Sequence, residues 1–567
     1  MKRALCVFLF SLLAGALAVA QNAVPFVLQP LRPMSAAPGL SSLTLTVTGV
    51  GFVSGSTVNW NGSARATTFV SSTKLTAAIT SADLAHAGIA VVTVTTPAPG
   101  GGASNPVFFP VHQKAAVGGF ARHDTVLANT VSALNAGGQV FTGDFNNDGK
   151  LDLVISSQSS ATASLEVFLG NGDGTFQTPV FSTQSFSAAP VAVADFNGDG
   201  KLDVAAEGSF GTLLIYLGNG DGTLTEQPTN YGNSYASYGV ADINGDGKLD
   251  LVVNWGEEGA YGTSIMLGNG DGTFGGGPNI NFGAAGLSAV SDYNRDGFLD
   301  LAIPAFTDME VAFGRSGGIF NTPAQYNLNG YTIYGLWAAD LNNDGKPDLL
   351  SDAGLVFLNQ GSGTFNVPSS SAIPNGASAV QFLDANGDGK LDVLSELSVQ
   401  GLMNSAVYAG NGDGTFQNPV DTVAGWGGTM PTYADFNGDG RVDFAVFGTD
   451  LITGSPILSV YLQNDLQISN GIINFDQVKL GTSVTQTSVL TNTGKSTLSL
   501  GTIALASLAP SYTVTSGCGT SLAPGASCTV TITFAPLTKK ELFGRVKVPF
   551  TGTIGGPQYI ELAGLGY

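Results

Sequence analysis

The nine residues DFNGDGKLD at 195–203 hold three carboxylates, one side-chain amide and two glycines. Near-copies stand at 144–152, 242–250, 292–300, 340–348, 384–392 and 435–443. Position one is Asp144, Asp195, Asp242, Asp292, Asp340, Asp384 and Asp435; position three is Asn146, Asn197, Asn244, Asn294, Asn342, Asn386 and Asn437. Position five is Asp148, Asp199, Asp246, Asp296, Asp344, Asp388 and Asp439; position nine is Asp152, Asp203, Asp250, Asp300, Asp348, Asp392 and Asp443. Oxygens on alternate residues of a tight loop can converge on one hard cation, and Ca²⁺ takes about six to eight oxygens from such flexible loops. Position seven varies (Lys150, Lys201, Lys248, Phe298, Lys346, Lys390, Arg441), as suits a residue that gives only its backbone carbonyl. Position six is always Gly, where a sharp turn needs freedom from Cβ. Position eight is apolar and expected to point into a core. Asp, Asn and Gly also favour turns that hold no metal, but three carboxylates within nine residues repel one another without a cation. The expectation is one Ca²⁺ per copy, about seven in all. An EF-hand would close on Glu at position twelve between helices; here Asp closes at nine between strands.

The elements that must position these residues repeat with them. Successive copies start 44 to 51 residues apart, the period of one supersecondary unit. In each unit an apolar strand leads into the motif (PVAVADF) and a second leaves it (LDLVVNW). A third precedes another turn (LLIYLGNGDGTL) and a fourth follows it. Four short strands per unit describe a propeller blade. The second turn, GNGDGTF or GNGDGTL, contains Asp173, Asp221, Asp271 and Asp413 but degenerates to GRSGGIF and NQGSGTF, so it reads as a hairpin turn. It is missing after the seventh motif, whereas VGGF at 117–120 precedes the first. The complementary ends predict that the first strand completes the last blade. An open stack, the alternative, would leave strand edges exposed. The fold class expected is all-β: a seven-bladed β-propeller over 114–465, between Ig-like β-sandwiches over 24–112 and 466–567.

The net charge of −21 argues against nucleic acid as a partner, since phosphate binding needs a basic face, and against anionic lipid; half of the 42 acidic residues lie in the nonapeptides. Lys2 and Arg3, an apolar run and AVA before Gln21 read as a secretory signal, residues 1–20, with a signal anchor as the alternative. The expected location is secreted, extracellular or at the cell surface after bacterial-type export, with the periplasm also open and no membrane insertion after cleavage. Cys518 and Cys528, ten apart between strand-like segments in an exported chain, are expected to form a disulfide, with free thiols as the alternative. The three histidines (His86, His112, His123) show no metal or nucleophile spacing, and no GxSxG, HExxH or phosphate loop is present. Trp255, Trp337 and Trp426, with Tyr231, Tyr235 and Tyr238, could stack on sugars or pack within blades.

The repeats resemble the FG-GAP/VCBS family, which includes the integrin α-chain propeller. The resemblance implies Ca²⁺ in a hairpin loop on one face of each blade, and a mostly adhesive role toward protein or glycan. LTLTVTGVGFVSGSTVNWNGS resembles IPT/TIG modules. INFDQVKLGTSVTQTSVLTNTGKSTLSLGTI with CGTSLAPGASCTVTITFAP resembles choice-of-anchor D or ASPM–SPD-2–Hydin modules, in whose pattern Cys518 and Cys528 pair. The function expected is calcium-stabilised adhesion or binding of a glycan or protein ligand on an extracellular surface, without enzymatic activity. A structural spacer is the alternative. A third reading, an enzyme acting on polysaccharide or phospholipid, finds no additional catalytic-sized domain.

Overall fold

A computed structural model describes residues 22–567 apart from short stretches, the longest being 112–118, 127–139, 281–285, 423–430, 450–454 and 552–556. The signal segment and His112 lie outside the described residues. All described elements of regular structure are strands, and no described helix is long and apolar enough to cross a membrane.

Seven small antiparallel sheets of three or four strands follow one another between Gly119 and Asn464 among the described residues, with a two-stranded ribbon, Gly314–Arg315 and Ile319–Phe320, in the second turn of the fourth. The second is Ala188–Ala194, Asp203–Gly208, Leu213–Gly218 and Leu224–Glu226. The fourth is Ala289–Ser291, Asp300–Ala305, Asp308–Ala312 and Ala324–Asn327; the fifth is Leu336–Ala339, Asp348–Ser351 and Val356–Phe357. In all seven the second strand begins on the position-nine aspartate. The seventh sheet is completed from far away in sequence, as the complementary ends predict. Gly119–Val126 pairs antiparallel with Pro456–Asn464, from Gly119 opposite Asn464 to Val126 opposite Ile457.

Each sheet presents apolar side chains to the next. One cluster joins the first three sheets through Val167, Val204, Leu214 and Leu251. Others join the third to the fourth through Ile265 and Ile303, the fourth to the fifth through Val311 and Phe357, and the fifth to the sixth through Leu350 and Val393. Leu394 and Phe444 join the sixth to the seventh. The seventh returns to the first through Phe447, Leu458 and Phe168. The alternation of apolar residues that marks these strands in the sequence therefore fills the spaces between sheets.

The first flank is a pair of sheets over Phe26–Val111 enclosing Leu45, Trp60, Leu75 and Phe109. The second encloses Leu490, Ile532, Phe534, Ile560 and Leu562 and carries the Cys518–Cys528 disulfide, S–S 2.08 Å. It is fixed to the strand that completes the seventh sheet. Ala121 belongs to its core, and the buried Glu561 carboxylate accepts from Arg122 (3.2 Å) and Arg545 (2.6 Å). Gln558 also donates to Asn464, at 2.7 Å.

Candidate functional site: the nonapeptide loops

Two positions in each loop turn left-handed. Position six has φ between 79° and 92° in all seven copies. Position four is also positive throughout, and there the residue is Gly, Asn or Arg: Asn147, Gly198, Gly245, Arg295, Asn343, Gly387 and Gly438. Asn tolerates this region better than most residues; Arg295 holds it while donating to the Gly345 carbonyl of the next loop.

Within the second loop the Asp195 carboxylate accepts from Gly198 and Gly200, each at 2.7 Å, and from Asp199 at 3.1 Å. Asn197 accepts from Asp199 at 2.9 Å, and Asp199 from Lys201 at 3.0 Å. In every copy the amide of position seven donates to the position-five carboxylate. Lys150, Lys201, Lys248 and Lys346 also bring their ammonium groups to that carboxylate, at 2.8–3.9 Å. Arg441 instead pairs with Asp465 at 2.9 Å, beside the second flank.

Position nine behaves alike in all seven copies. Its side chain is wholly buried. One oxygen accepts the amide of position two: Phe145, Phe196, Ile243, Tyr293, Leu341, Ala385 or Phe436. The other accepts an amide at the end of the third strand or just beyond it: Gly170, Gly218, Gly268, Gly314, Asn359, Gly410 or Gln463. The aspartate thus clasps the loop to the far end of its own sheet. Position two is buried in every copy and anchors the loop in the core. Position eight is buried at Leu202, Leu249, Leu391 and Val442 and half-buried at Leu151, Leu299 and Pro347.

Burial pushes the clasping carboxyls up. Asp250, Asp300 and Asp348 rise to about 6, and Asp152 and Asp392 to about 7. Asp203 rises to about 8, first through desolvation, with the Asp195 charge adding to it and the Gly218 amide opposing it. Asp443 is pushed well above the carboxylate range by burial and by Asp435 and Asp439.

The second turns fasten sheet to sheet. Gly222, Gly272 and Gly414 donate to the position-two carbonyls of the preceding loops, Phe145, Phe196 and Leu341, at 3.1–3.2 Å. Gly174 of the first sheet donates to Phe436 of the seventh at 2.9 Å. In the degenerate turn of the fifth sheet Asn359 makes the same link to the Tyr293 carbonyl with its side chain, at 2.9 Å. Asp173, Asp221, Asp271 and Asp413 bind the amide and hydroxyl two residues on. At Gly272, φ 81°, an added Cβ would lie 2.7 Å from Leu217 Cδ2 of the neighbouring sheet. Gly272→Ala is therefore expected to destabilise by about 1–3 kcal/mol, and a thermal melt unchanged from wild type would refute that.

Whether the loops suit a metal turns on their oxygens. The donor set is all oxygen, the chemistry of Ca²⁺ rather than of a softer ion. The Asn386 side-chain oxygen is buried with no hydrogen-bond partner, as an acceptor in want of a cation would be. Yet among the described residues no three His, Cys, Asp or Glu side chains are grouped to hold a metal ion, and the loop carboxylates accept from backbone amides. Coordination would have to exchange some of those bonds for the ion; the donor chemistry fits it.

The other residues singled out by type are less informative. Tyr231 accepts from the Phe274 amide at 2.7 Å and packs edge-on against that ring, a structural role. Trp337 is half-buried with its ring near Gly335. Trp426 lies outside the described residues, and the side chains of Trp255, Tyr235 and Tyr238 are not described. His123 lies half-buried on Gly119–Val126 and His86 is exposed.

Residues 144–206, 204–253, 242–303 and 292–351 match the FG-GAP-like repeat. Residues 464–564 match the HYDIN/CFA65/VesB-like, Ig-like domain. No curated protein matches the chain. Among solved structures, the chain is similar to an Agrocybe aegerita lectin described as recognising non-reducing terminal N-acetylglucosamine (20% identity, TM-score 0.39, 59% of this chain and 89% of that one). It is also similar to the exotype rhamnogalacturonan lyase YesX (14%, 0.37, 78% and 90%) and to a putative 6-phosphogluconolactonase of Bacteroides fragilis (15%, 0.39, 55% and 93%). At such TM-scores these likenesses carry no argument about activity.

Proposed function

We propose that the protein is a secreted or cell-surface calcium-binding propeller that mediates adhesion by binding a glycan or protein ligand, without catalysis. The seven sheets are its blades, residues 114–465 the wheel, 24–112 an IPT/TIG-like spacer and 466–567 an Ig-like one, after a signal at 1–20. The observation that carries the reading is the sevenfold repetition of one oxygen-rich loop at the same end of sheets whose last member is completed by the first strand of the series. A catalytic centre needs no such repetition, whereas a wheel has a stabilising use for it. The aspartates of positions one, five and nine, the asparagine of position three and the carbonyl of position seven would hold the ions. Ca²⁺ would there neutralise carboxylates that burial otherwise penalises.

Calorimetry on the full-length protein is expected to give about seven Ca²⁺ per chain, and glycan and protein arrays probed with and without EDTA are expected to show calcium-dependent binding. A stoichiometry near zero removes the calcium reading. Failure to bind on both arrays removes the ligand reading and leaves the spacer.

A further inference from the structure

We propose that the end of the sheets opposite the nonapeptide loops carries a carbohydrate-binding site between the fourth and fifth sheets, with Phe306 and Tyr334 as its stacking platform. The proposal rests on the ligand-binding reading above and names the ligand class and the place.

Chain direction separates two faces. The nonapeptides join first strands to second, and the later turns join third strands to fourth, so both lie at one end of each sheet. The chain enters the series at Gly119 and leaves it at Asn464, which face each other in register. The Arg441–Asp465 pair puts that junction beside the seventh loop. From the other flank, Ser35 donates to Asp384 of the sixth loop, and Arg32 lies 3.9 Å from Asp340 of the fifth. These contacts hold both flanking sandwiches to the loop side. The opposite face is built from the turns between second and third strands and from the crossings to the next sheet.

Phe306 stands at the tip of the turn between Asp300–Ala305 and Asp308–Ala312, and Tyr334 on the crossing from Ala324–Asn327 to Leu336–Ala339. Their rings meet edge to face with centroids 5.9 Å apart, yet remain 36% and 53% exposed. The platform is held rigidly from below. The Ile333 amide donates to the Phe306 carbonyl at 2.8 Å, and the Tyr334 amide to both Asp352 oxygens at 3.0 and 3.1 Å. Leu328 and Ile333 are fully buried beneath. Phe306 also has φ 59°, a conformation bulky side chains rarely adopt. Such strain persists where the surroundings over-determine it, and it gathers at binding sites.

The chemistry around the rings selects the ligand. Thr307, Asn329 and Thr332 are exposed on the same two segments and offer neutral hydroxyl and amide groups. A sugar lays its C–H face on an aromatic ring and turns its hydroxyls to such neighbours. The net charge of −21 repels anionic ligands. Two rings fall far short of the roughly 800 Å² per partner that a stable protein interface buries.

The test uses the full-length protein, an array of neutral oligosaccharides, and then titration with the tightest binder on that array. Phe306→Asn keeps a residue suited to positive φ while removing the ring; Tyr334→Ala removes the other. Each is expected to weaken binding at least tenfold, a loss within reach of one stacking ring, with the Ca²⁺ stoichiometry unchanged and the melting temperature of Phe306→Asn not lowered. Equal binding by wild type and both variants overturns this site while leaving the ligand-binding reading in place. No binding of wild type to any neutral oligosaccharide overturns the carbohydrate assignment, and binding on a protein array then keeps the wider reading.

Discussion

Replacing Asp203 by Ala is expected to destabilise the protein by about 3–5 kcal/mol, because two buried amides lose their shared acceptor. The Asp203 carboxylate is wholly buried and takes the amides of Phe196 and Gly218, each at 2.8 Å. Ala would leave both donors in the interior without a partner, at a cost of about 1–3 kcal/mol each, besides the packing lost. Asp203→Asn keeps the shape but turns an NH₂ toward one of the two donors, so an intermediate loss of about 2 kcal/mol is expected. The control is Asp173→Ala in the second turn, where an exposed side chain accepts from the Thr175 amide and hydroxyl; its thermal transition should scarcely move. Denaturant or thermal melts of the three variants check this ordering. Asp203→Ala melting with wild type would show that water or a neighbouring group replaces the clasp.

That prediction rests on a role the sequence does not display. DFNGDGKLD offers a recognisable spacing of alternate oxygens, the basis of the calcium proposal, and its sevenfold recurrence announces small sheets of like construction. The completion of the seventh sheet by Gly119–Val126 is also legible, since VGGF and YLQND are complementary leftovers. Other features depend on contacts between residues far apart in the chain. Position nine looks like a fourth metal ligand, and nothing local reveals that Gly218, fifteen residues on, lends it an amide. Position two varies from Ala to Phe, so its constant burial cannot be read from residue type. Position four hides a constant positive φ behind Gly, Asn and Arg; the Gly/Asn alternation was the available signal, and Arg295 obscured it. The lysines at position seven, free to vary if only their carbonyls matter, turn out to pair with position five in four loops. Phe306 and Tyr334 carry no periodicity at all. Only the fold brings them together, from the far sides of a turn and a crossing.

Raised carboxyls at the clasps set the sign of a second large effect. In metal-free protein, stability is expected to fall as pH rises from about 4 to about 8, so that melting in EDTA occurs several degrees lower at pH 8 than at pH 5.5. An unfolded Asp titrates near about 3.9. The folded values reach about 6 at Asp250, Asp300 and Asp348, about 7 at Asp152 and Asp392, and about 8 at Asp203. Between those limits the folded state holds more protons than the unfolded one, so each unit of rising pH favours unfolding until the folded groups have titrated. The Arg65–Asp83 pair works oppositely. Its aspartate is held down to about 2, mainly by the guanidinium hydrogen bond, so its stabilisation is lost only as pH falls below about 4. Calcium at the loops, as proposed, competes with the protons for the same oxygens. Millimolar CaCl₂ should therefore raise the melting temperature more at pH 8 than at pH 5.5 and narrow or reverse the difference seen in EDTA. A metal-free melting temperature that climbs steadily from pH 5.5 to pH 8 would show that the buried aspartates remain ionised in the fold. A calcium effect of equal size at both pH values would show that the ion binds elsewhere than at the clasps.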